Sequence, residues 1–301
     1  MKILSFGGIN IDYVYHLDRF VREGESIPCD RLELILGGKG CNQSIAVAHN
    51  GLEVFHAGKV GTKDLWLLDD MIGYHVDVSL VKKVDAPSGH AIIQMDKHGK
   101  NSIILYGGAN HMLTEEEVKE AFSGFGKGDF LLTQNELNMT DKIIEQGHRR
   151  GMEIFINATP INDKIHKCHL EYVDHVIVNE VEGELLTGET ELKKILRGMR
   201  VKCPQATVVI TLGSAGLLAL DRDDNEHQIP APKVKVAATT SAGDTFTGYF
   251  TAGLATNQSV RGSLELACKA AALCVTRKGT TNSIPRIDEV NSWRPEYPAP
   301  L

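Results

Sequence analysis

The sequence predicts an α/β fold with a mostly parallel central sheet, helices on both faces, and a small second sheet set apart from it. Three observations carry this. Short β-rich runs alternate with longer helical ones along most of the 301 residues, the pattern of βαβ units. Two pairs of strand-like runs have no helix between their members: Tyr13 to Leu17 with Leu32 to Leu36, and His90 to Met95 with Ser102 to Tyr106. The composition, 42% apolar and 24% charged, is that of a soluble globular chain able to bury a full-sized core,.

In chain order, Lys2 to Ile9 reads as the first strand, and Gln43 to Asn50 as a helix stopped by Gly51,. Val54 to Val60 is a strand. Leu113 to Phe122 is a helix, with Thr114 and Glu117 at capping-box spacing,. Phe130 to Gln134 is a strand, Thr140 to Arg150 a helix ending at Gly151, and Glu153 to Asn157 a strand. His175 to Val178 and Glu180 to Leu186 repeat the strand–helix unit. Thr207 to Leu212 is a β-branched strand, and Gly243 to Val275 is mostly helix. The second hairpin-type pair is joined by Asp96, Lys97, His98 and Gly99, a turn-rich link,. With no helices to cover a second face, the four strands of the two pairs predict a small sheet over the main body. Its segments span about residues 12–37 and 89–107, within a single domain of residues 1–301. The end, Pro295 to Leu301, holds three prolines and reads as frayed or draped on the surface,.

Charge and cysteine usage exclude several classes. Lys plus Arg is 32 and Asp plus Glu is 39, a net charge of -7, which argues against wrapping a phosphate backbone. The longest helical apolar tract, Leu264 to Val275, is interrupted by Glu265 and Lys269 and falls short of the roughly 20 residues that span a bilayer. The N-terminus lacks the pattern of a signal peptide. The six cysteines form no CxxC pair and read as reduced thiols in the cytoplasm. Neither they nor the 12 histidines cluster as zinc would require,.

Several motifs can carry chemistry. Thr239-Thr240-Ser241-Ala242-Gly243-Asp244 ends a loop where a helix begins. Free N–H groups at the positive end of a helix make a ready anion site. Alone, the segment is as well explained by a tight turn with Asp244 in a first helical turn. Gly37-Gly38-Lys39-Gly40-Cys41-Asn42 also precedes a helix. It is not a Walker A loop, since no G-K-[ST] ends it. Gly8-Ile9-Asn10-Ile11-Asp12 leaves the first strand at its C-terminal end, where open α/β sheets bind ligands. Asn10 and Asp12 alternate with apolar residues, so both can face one cleft. Gln134-Asn135-Glu136, Asn157 to Pro160, Asn179 to Glu182, and Thr211 to Gly216 close further strands with polar groups or glycines. Each admits a bland reading as a turn or cap. Together they line up along one edge of the sheet.

In this order the motifs resemble the ribokinase-like (PfkB) family of carbohydrate kinases, from Gly7 to about Val290. The GGKGxN loop is Gly37 to Asn42, and the family's A-G-D signature is Ala242 to Asp244. Between them stand Gly108-Ala109-Asn110, Gln134 to Glu136, Asn179 to Glu182 and Thr211 to Gly216. After them come Val275 to Gly279 and Ser283-Ile284-Pro285. The resemblance implies a three-layer α/β sandwich with a β-sheet lid. It implies transfer of the γ-phosphoryl group of ATP to a sugar hydroxyl, in the first instance the 5-hydroxyl of D-ribose. It makes Asp244 the catalytic base, and Ala242, Gly243 and Asp244 the anion hole. Asn10, Asp12, Gly38, Lys39, Asn42 and Glu136 match the sugar-binding positions. Asn179 and Glu182 match the motif that supports Mg²⁺, Glu182 acting through water. Thr211, Gly213 and Gly216 match positions lining the nucleotide site. It also implies a homodimer paired through the lids.

The chain departs from the family in places. Ala238 stands where an acidic residue commonly helps bind a monovalent cation, although Thr240, Gly279 and Ser283 near that site are retained. The expectation is weak or absent potassium activation. Ser241 replaces a small Gly or Ala. Tyr249 stands where the signature prefers Gly or Ala, and is expected to fill core space. Asn135 replaces a commonly apolar residue. These departures leave open a kinase for a ketohexose, a sugar acid or a nucleoside. A non-catalytic sugar or nucleotide sensor is a further alternative, though one with no use for Asp244. A dinucleotide oxidoreductase fits worst, since no GxGxxG follows the first strand.

Overall fold

The computed structural model describes residues 1–98 and 100–298. Gly99 in the predicted hairpin link and the last three residues of the predicted draped end lie outside the described residues. The strands are β1 (Ile3–Phe6), β2 (Asn10–Leu17), β3 (Arg31–Gly37), β4 (Val54–Gly61), β5 (Asp77–Val84), β6 (Gly89–Asp96), β7 (Asn101–Tyr106), β8 (Phe130–Gln134), β9 (Glu153–Asn157), β10 (His175–Asn179), β11 (Thr207–Thr211), β12 (Leu217–Leu220) and β13 (Glu226–Ile229). The helices are α1 (Lys39–Ala48), α2 (Trp66–Gly73), α3 (Glu115–Ala121), α4 (Thr140–Arg149), α5 (Glu180–Thr187), α6 (Leu192–Lys202), α7 (Ala242–Ala255), α8 (Val260–Cys274) and α9 (Ile287–Ser292).

Nine strands form the central sheet, in the order β13-β12-β11-β10-β9-β8-β1-β4-β5. It is parallel except where β12 pairs antiparallel with β11 and β13 with β12. Its inner strands, from β12 to β4, are buried on both faces, as a sheet covered on both sides requires, while the edge strands β5 and β13 are partly exposed,. Side chains alternate along β1: Ile3 enters the core beneath α1, α2, α7 and α8, while Leu4 and Phe6 enter the core beneath α3, α4, α5 and α6. The sandwich is therefore three layers deep. Thr114 and Glu117 make the predicted capping box at the start of α3.

The second sheet has the order β3-β2-β6-β7. Both predicted pairs are antiparallel, and a parallel β2–β6 pairing joins them. It begins at Asn10, not Asp12, and the predicted first strand, Lys2 to Ile9, ends early as β1 at Phe6. The chain leaves the central sheet after Phe6, and Gly7-Gly8-Ile9 carry it into the lid. Gly7 permits this step, since a Cβ there would fall 2.5 Å from the Gly40 Cα. Two further boundaries differ from expectation. Helix α1 starts at Lys39, four residues early. The run from Gly243 to Val275 is two helices, broken at Asn257 with its positive φ of 59°. Strands β5, β12 and β13 and helices α2, α6 and α9 are additions that the strand and helix patterns alone left unassigned.

Candidate active site

The site forms where the start of α1, the start of α7 and the inner face of the lid converge. Gly38 adopts φ +96°, and a Cβ there would lie 2.6 Å from the Gly8 carbonyl oxygen. Only glycine lets this loop pass so close to the turn between the sheets. Helix α1 then runs inward, buried from Gly40 to Ala48. It lies against α7 at Gly248, where a Cβ would meet the Ala46 Cβ at 2.4 Å. That close packing sets the first turns of the two helices side by side.

Asp244 sits in the first turn of α7, 9% exposed. The Asn42 Nδ2 donates to its Oδ2 at 2.9 Å, and the Gln43 Nε2 donates to its Oδ1 at 3.0 Å. Asn42 also donates to the Ser241 hydroxyl at 3.3 Å. Ser241 takes a left-handed conformation, φ 63°, to turn the chain into α7. Among the described residues, the N–H groups of Gly243 and Asp244 bond no backbone carbonyl, so both are available at the positive end of the helix.

On the lid side, β2 carries Asn10 and Asp12. The Asn10 Oδ1 accepts from the Asn110 Nδ2 at 2.7 Å, while the Ile9 N–H donates to the Asn110 Oδ1 at 3.1 Å. Across the cleft, the Lys39 ammonium lies 3.3 Å from one Glu136 oxygen, and the Lys39 N–H donates to the other at 3.2 Å. The cleft has a volume of about 400 Å³. Its wall toward β10 and α5 carries Asn179 and Glu182, which cap each other: the Glu182 N–H donates to the Asn179 Oδ1, and the Asn179 N–H to the Glu182 Oε2, both at 2.9 Å. Thr211 and Thr240 line the same end.

Three carboxylates face one another here, with Lys39 as their cation. Burial, with Glu136 and Asp244 nearby, raises the Asp12 pKa to about 7. Burial likewise raises Asp244 to about 6, against the lowering pull of Lys39 and of the Asn42 and Gln43 amides. Burial disfavours the Lys39 ammonium, but Glu136 and Asp244 outweigh it and hold its pKa above the usual lysine value.

The structure thus brings together Asn10, Asp12, Gly38, Lys39, Asn42, Glu136, Asn179, Glu182, Thr211, Thr240, Gly243 and Asp244 along one cleft. Others of the predicted site residues stand back from its wall. Ala242 opens α7 just behind Gly243. Gly213 and Gly216 bracket a short turn after β11; a Cβ on Gly216 would strike the Ile229 carbonyl, a backbone role. Gly279, at φ +125°, lies beside Asn282, and the buried Ser283 hydroxyl donates to the Thr280 carbonyl at 2.6 Å. Among the described residues no group of three or more His, Cys, Asp and Glu side chains is arranged to hold a metal. Tyr249 is fully buried, and its hydroxyl donates to the Pro285 carbonyl at 2.8 Å, the core role expected of it. Asn135 also turns inward, donating to the Pro160 carbonyl at 2.6 Å.

Asn157 and Thr159, from one of the strand-closing polar motifs, also line the cleft; the sequence patterns passed over Gln43, and over the apolar lid residues Ala91, Ile93, Ile103 and Leu105 that roof the cleft. The lid residues had a signal: by the register of β6 and β7, Ala91 pairs with Leu105 and Ile93 with Ile103, on the face that β2 shares with Asp12. Gln43, one residue beyond the glycine loop, had none.

A cleft with a buried carboxylate, free helix N–H groups and hydroxyl-binding polar side chains can hold a polyol beside a phosphate. Comparison with known proteins agrees. The chain matches the pfkB family carbohydrate kinase model over residues 1–287. It is 31% identical to a ribokinase of Staphylococcus aureus, with 96% of this chain and 98% of that one covered. It is 28% identical to a deoxyribokinase of Salmonella typhi, covering 97% and 98%. The solved structure of Arabidopsis thaliana ribokinase complexed with ribose and ATP superposes with a TM-score of 0.82 at 26% identity, covering 96% and 97%. The chain belongs to the pfkB family of carbohydrate kinases and is an ATP-dependent, ribokinase-like sugar kinase.

Proposed function

We propose that the chain phosphorylates the 5-hydroxyl of D-ribose, with Asp244 as base. The observation that carries this reading is the position of Asp244, at the junction of the polar sugar-sized cleft and the free N–H groups of α7. The electrostatics support a neutral polyol over a sugar acid or a sugar phosphate, because Asp12, Glu136 and Asp244 confront any anion with three carboxylates against one lysine. The apolar roof of Ala91, Ile93, Ile103 and Leu105 suits the carbon faces of a small sugar.

In this reading Asn10, Asp12, Lys39, Asn42 and Glu136 bind and orient the hydroxyls, with Gly38 keeping the loop close to them. A sugar hydroxyl is far less acidic than an aspartic acid, whose ordinary pKa is about 3.9, so Asp244 orients the hydroxyl and takes its proton late. The free N–H groups of Gly243 and Asp244 stabilise the charge on the group in flight; that of Ala242, expected to join them, donates to the Thr239 carbonyl at 3.3 Å. The triphosphate lies toward Asn179, Thr211, Gly213 and Gly216. Glu182 offers oxygen donors only, and one is already engaged by the Asn179 N–H; this set suits Mg²⁺ held through water, where the bound ion supplies charge neutralisation. The lid excludes water that would otherwise take the phosphoryl group.

We further propose a homodimer. Strand β7 is exposed along its whole length, and Leu32, Leu34, Ile104 and Tyr106 form an apolar strip on the lid's outer face. Such an edge is an association surface unless covered.

The test of substrate is ADP release from ATP and Mg²⁺ over D-ribose, 2-deoxyribose, other pentoses, fructose, 2-keto-3-deoxygluconate and nucleosides. The highest kcat/KM is expected for D-ribose. A clear preference for another compound overturns ribose while leaving Asp244 in place.

A further inference from the structure

Gln43 belongs to a line of buried amides that ends on the base. The Gln134 Nε2 donates to the Gln43 Oε1 at 2.7 Å, and the Gln43 Nε2 donates to the Asp244 Oδ1 at 3.0 Å and to the Asn157 Oδ1 at 3.3 Å. Gln43 and Gln134 are both fully buried. Gln43 therefore has every hydrogen-bonding group filled, with its carbonyl turned toward one partner and its NH₂ toward two acceptors. An ionised carboxylate only accepts, so the reverse amide orientation would set a carbonyl oxygen against Asp244. Gln134 blocks that reversal by offering its own N–H to the Gln43 carbonyl. Gln134 is in turn wedged against the turn between the two sheets: a Cβ on Gly7 would fall 2.3 Å from its Oε1.

We infer that Gln43 is a positioning residue for the phosphoryl transfer: oriented by Gln134, it fixes the rotation of the Asp244 carboxylate and favours its ionised form. Asn42 holds the other oxygen from the adjacent position on α1. With both oxygens anchored from one side, the remaining lone pairs of Asp244 face the cleft. This inference rests on the reading of Asp244 as base. The charged and titratable groups that face Asp244 are Lys39 and the Cys41 thiol on α1, Asp12 on β2, Glu136 after β8, and the Cys274 thiol on α8. None of them changes when the Gln43 amide is removed, so a displaced acid limb reports the amide itself.

The experiment compares the full-length wild type with Gln43→Met, Gln134→Met, the double variant and Asp244→Asn, by pH profiles of kcat and kcat/KM for the sugar. Met approximates the volume of Gln and removes the amide. Gln43→Met is expected to lower kcat by roughly tenfold to a hundredfold, with a smaller change in KM. Its acid limb is expected to move upward by about one pH unit, since a hydrogen bond to the charged form has been lost. Gln134→Met, which touches no part of Asp244, is expected to move the limb in the same direction by less. The double variant should match Gln43→Met alone, because the two act in series. If Gln43→Met does not fold, Gln134→Met carries the test. An unmoved acid limb in both folded single variants, with Asp244→Asn inactive, overturns the inference and leaves the base intact. Substantial activity in Asp244→Asn overturns the reading beneath it.

Discussion

Gly7 and Gly40 touch backbone to backbone. A Cβ on Gly40 would fall 2.5 Å from the Gly7 Cα, and the next residue, Cys41, donates its N–H to the Gly8 carbonyl at 3.2 Å. This is where the end of β1 meets the start of α1, so it sets the distance between Asn10 on one strand and Asn42 on the neighbouring helix. Gly40→Ala has no flexible atom to displace. It is expected to cost about 1–3 kcal/mol in urea unfolding and to lower kcat/KM. Gly73→Ala is the control: it lies in α2 with nothing within 4 Å of a new Cβ. It should be stabilising by about 0.5–1 kcal/mol, with activity unchanged. Equal losses in both variants would show that the backbone contact is unimportant.

Asp244→Asn keeps the size of the side chain and removes its capacity to take a proton. A positioned base contributes about 10²- to 10⁴-fold, so kcat should fall within that range while sugar binding, followed by calorimetry, persists. A variant within a few-fold of wild type would remove the base from Asp244.

The pH dependence of activity and of stability should run in opposite directions. With Asp244 as the proposed base, catalysis needs its ionised form, so kcat/KM is expected to fall as pH drops through about 6. For stability, both Asp12 and Asp244 bind protons more tightly folded than unfolded. Their folded pKa values of about 7 and about 6 lie above the ordinary 3.8. Their neutral forms are thus favoured by folding, and the protein loses that contribution as pH rises from 3.8 toward about 7,. Asp12→Asn should accordingly raise the melting temperature, with a gain that grows across this window and then levels off. One pKa unit corresponds to about 1.4 kcal/mol, so the gain is expected to be at least of that order. The same variant should raise the sugar KM. A gain independent of pH would mean that Asp12 carries no burial penalty.

Ile104→Lys places a charge on the outer face of the lid, away from the cleft. It is expected to convert a dimer into a species of 33.0 kDa in sedimentation at micromolar concentration, with its fold intact by circular dichroism. A wild type already at that mass removes the dimer.

Ala238 supplies no charge beside Thr240, and the Ser283 hydroxyl is committed to the Thr280 carbonyl. The rate in potassium should therefore equal the rate in tetramethylammonium at matched ionic strength. Strong activation by potassium would show that backbone and hydroxyl oxygens suffice.

Much of this site was legible because its parts announce themselves locally. Gly37 to Asn42 and Thr239 to Asp244 each pair small residues with the start of a helix, and both starts lie on the cleft. The lid was legible because its two strand pairs lack helices. What failed had physical reasons. The run from Lys2 to Ile9 is apolar apart from Lys2 and Ser5, so the end of β1 at Phe6, ahead of the step through Gly7 and Gly8 into the lid, left little mark on hydropathy. Strand β5 carries Lys82 and Lys83 at the edge of the sheet, and β12 and β13 are four residues each. Gln43 lies 201 positions from the carboxylate it holds. No local pattern distinguishes it from any other polar residue in a helix.

The passage from β1 into β2 through Gly7, Gly8 and Ile9 divides the labour of the enzyme between two units of structure. Asn10, Asp12 and the apolar roof ride on the small sheet. Asn42, Gln43 and Asp244 belong to helices packed on the large one. In the proposed reading part of the recognition meets the chemistry across a seam, so the choice of acceptor can drift by exchanging side chains on β2, β6 and β7 while the machinery that moves the phosphoryl group stays untouched. A scaffold built this way can diversify its diet without relearning its reaction.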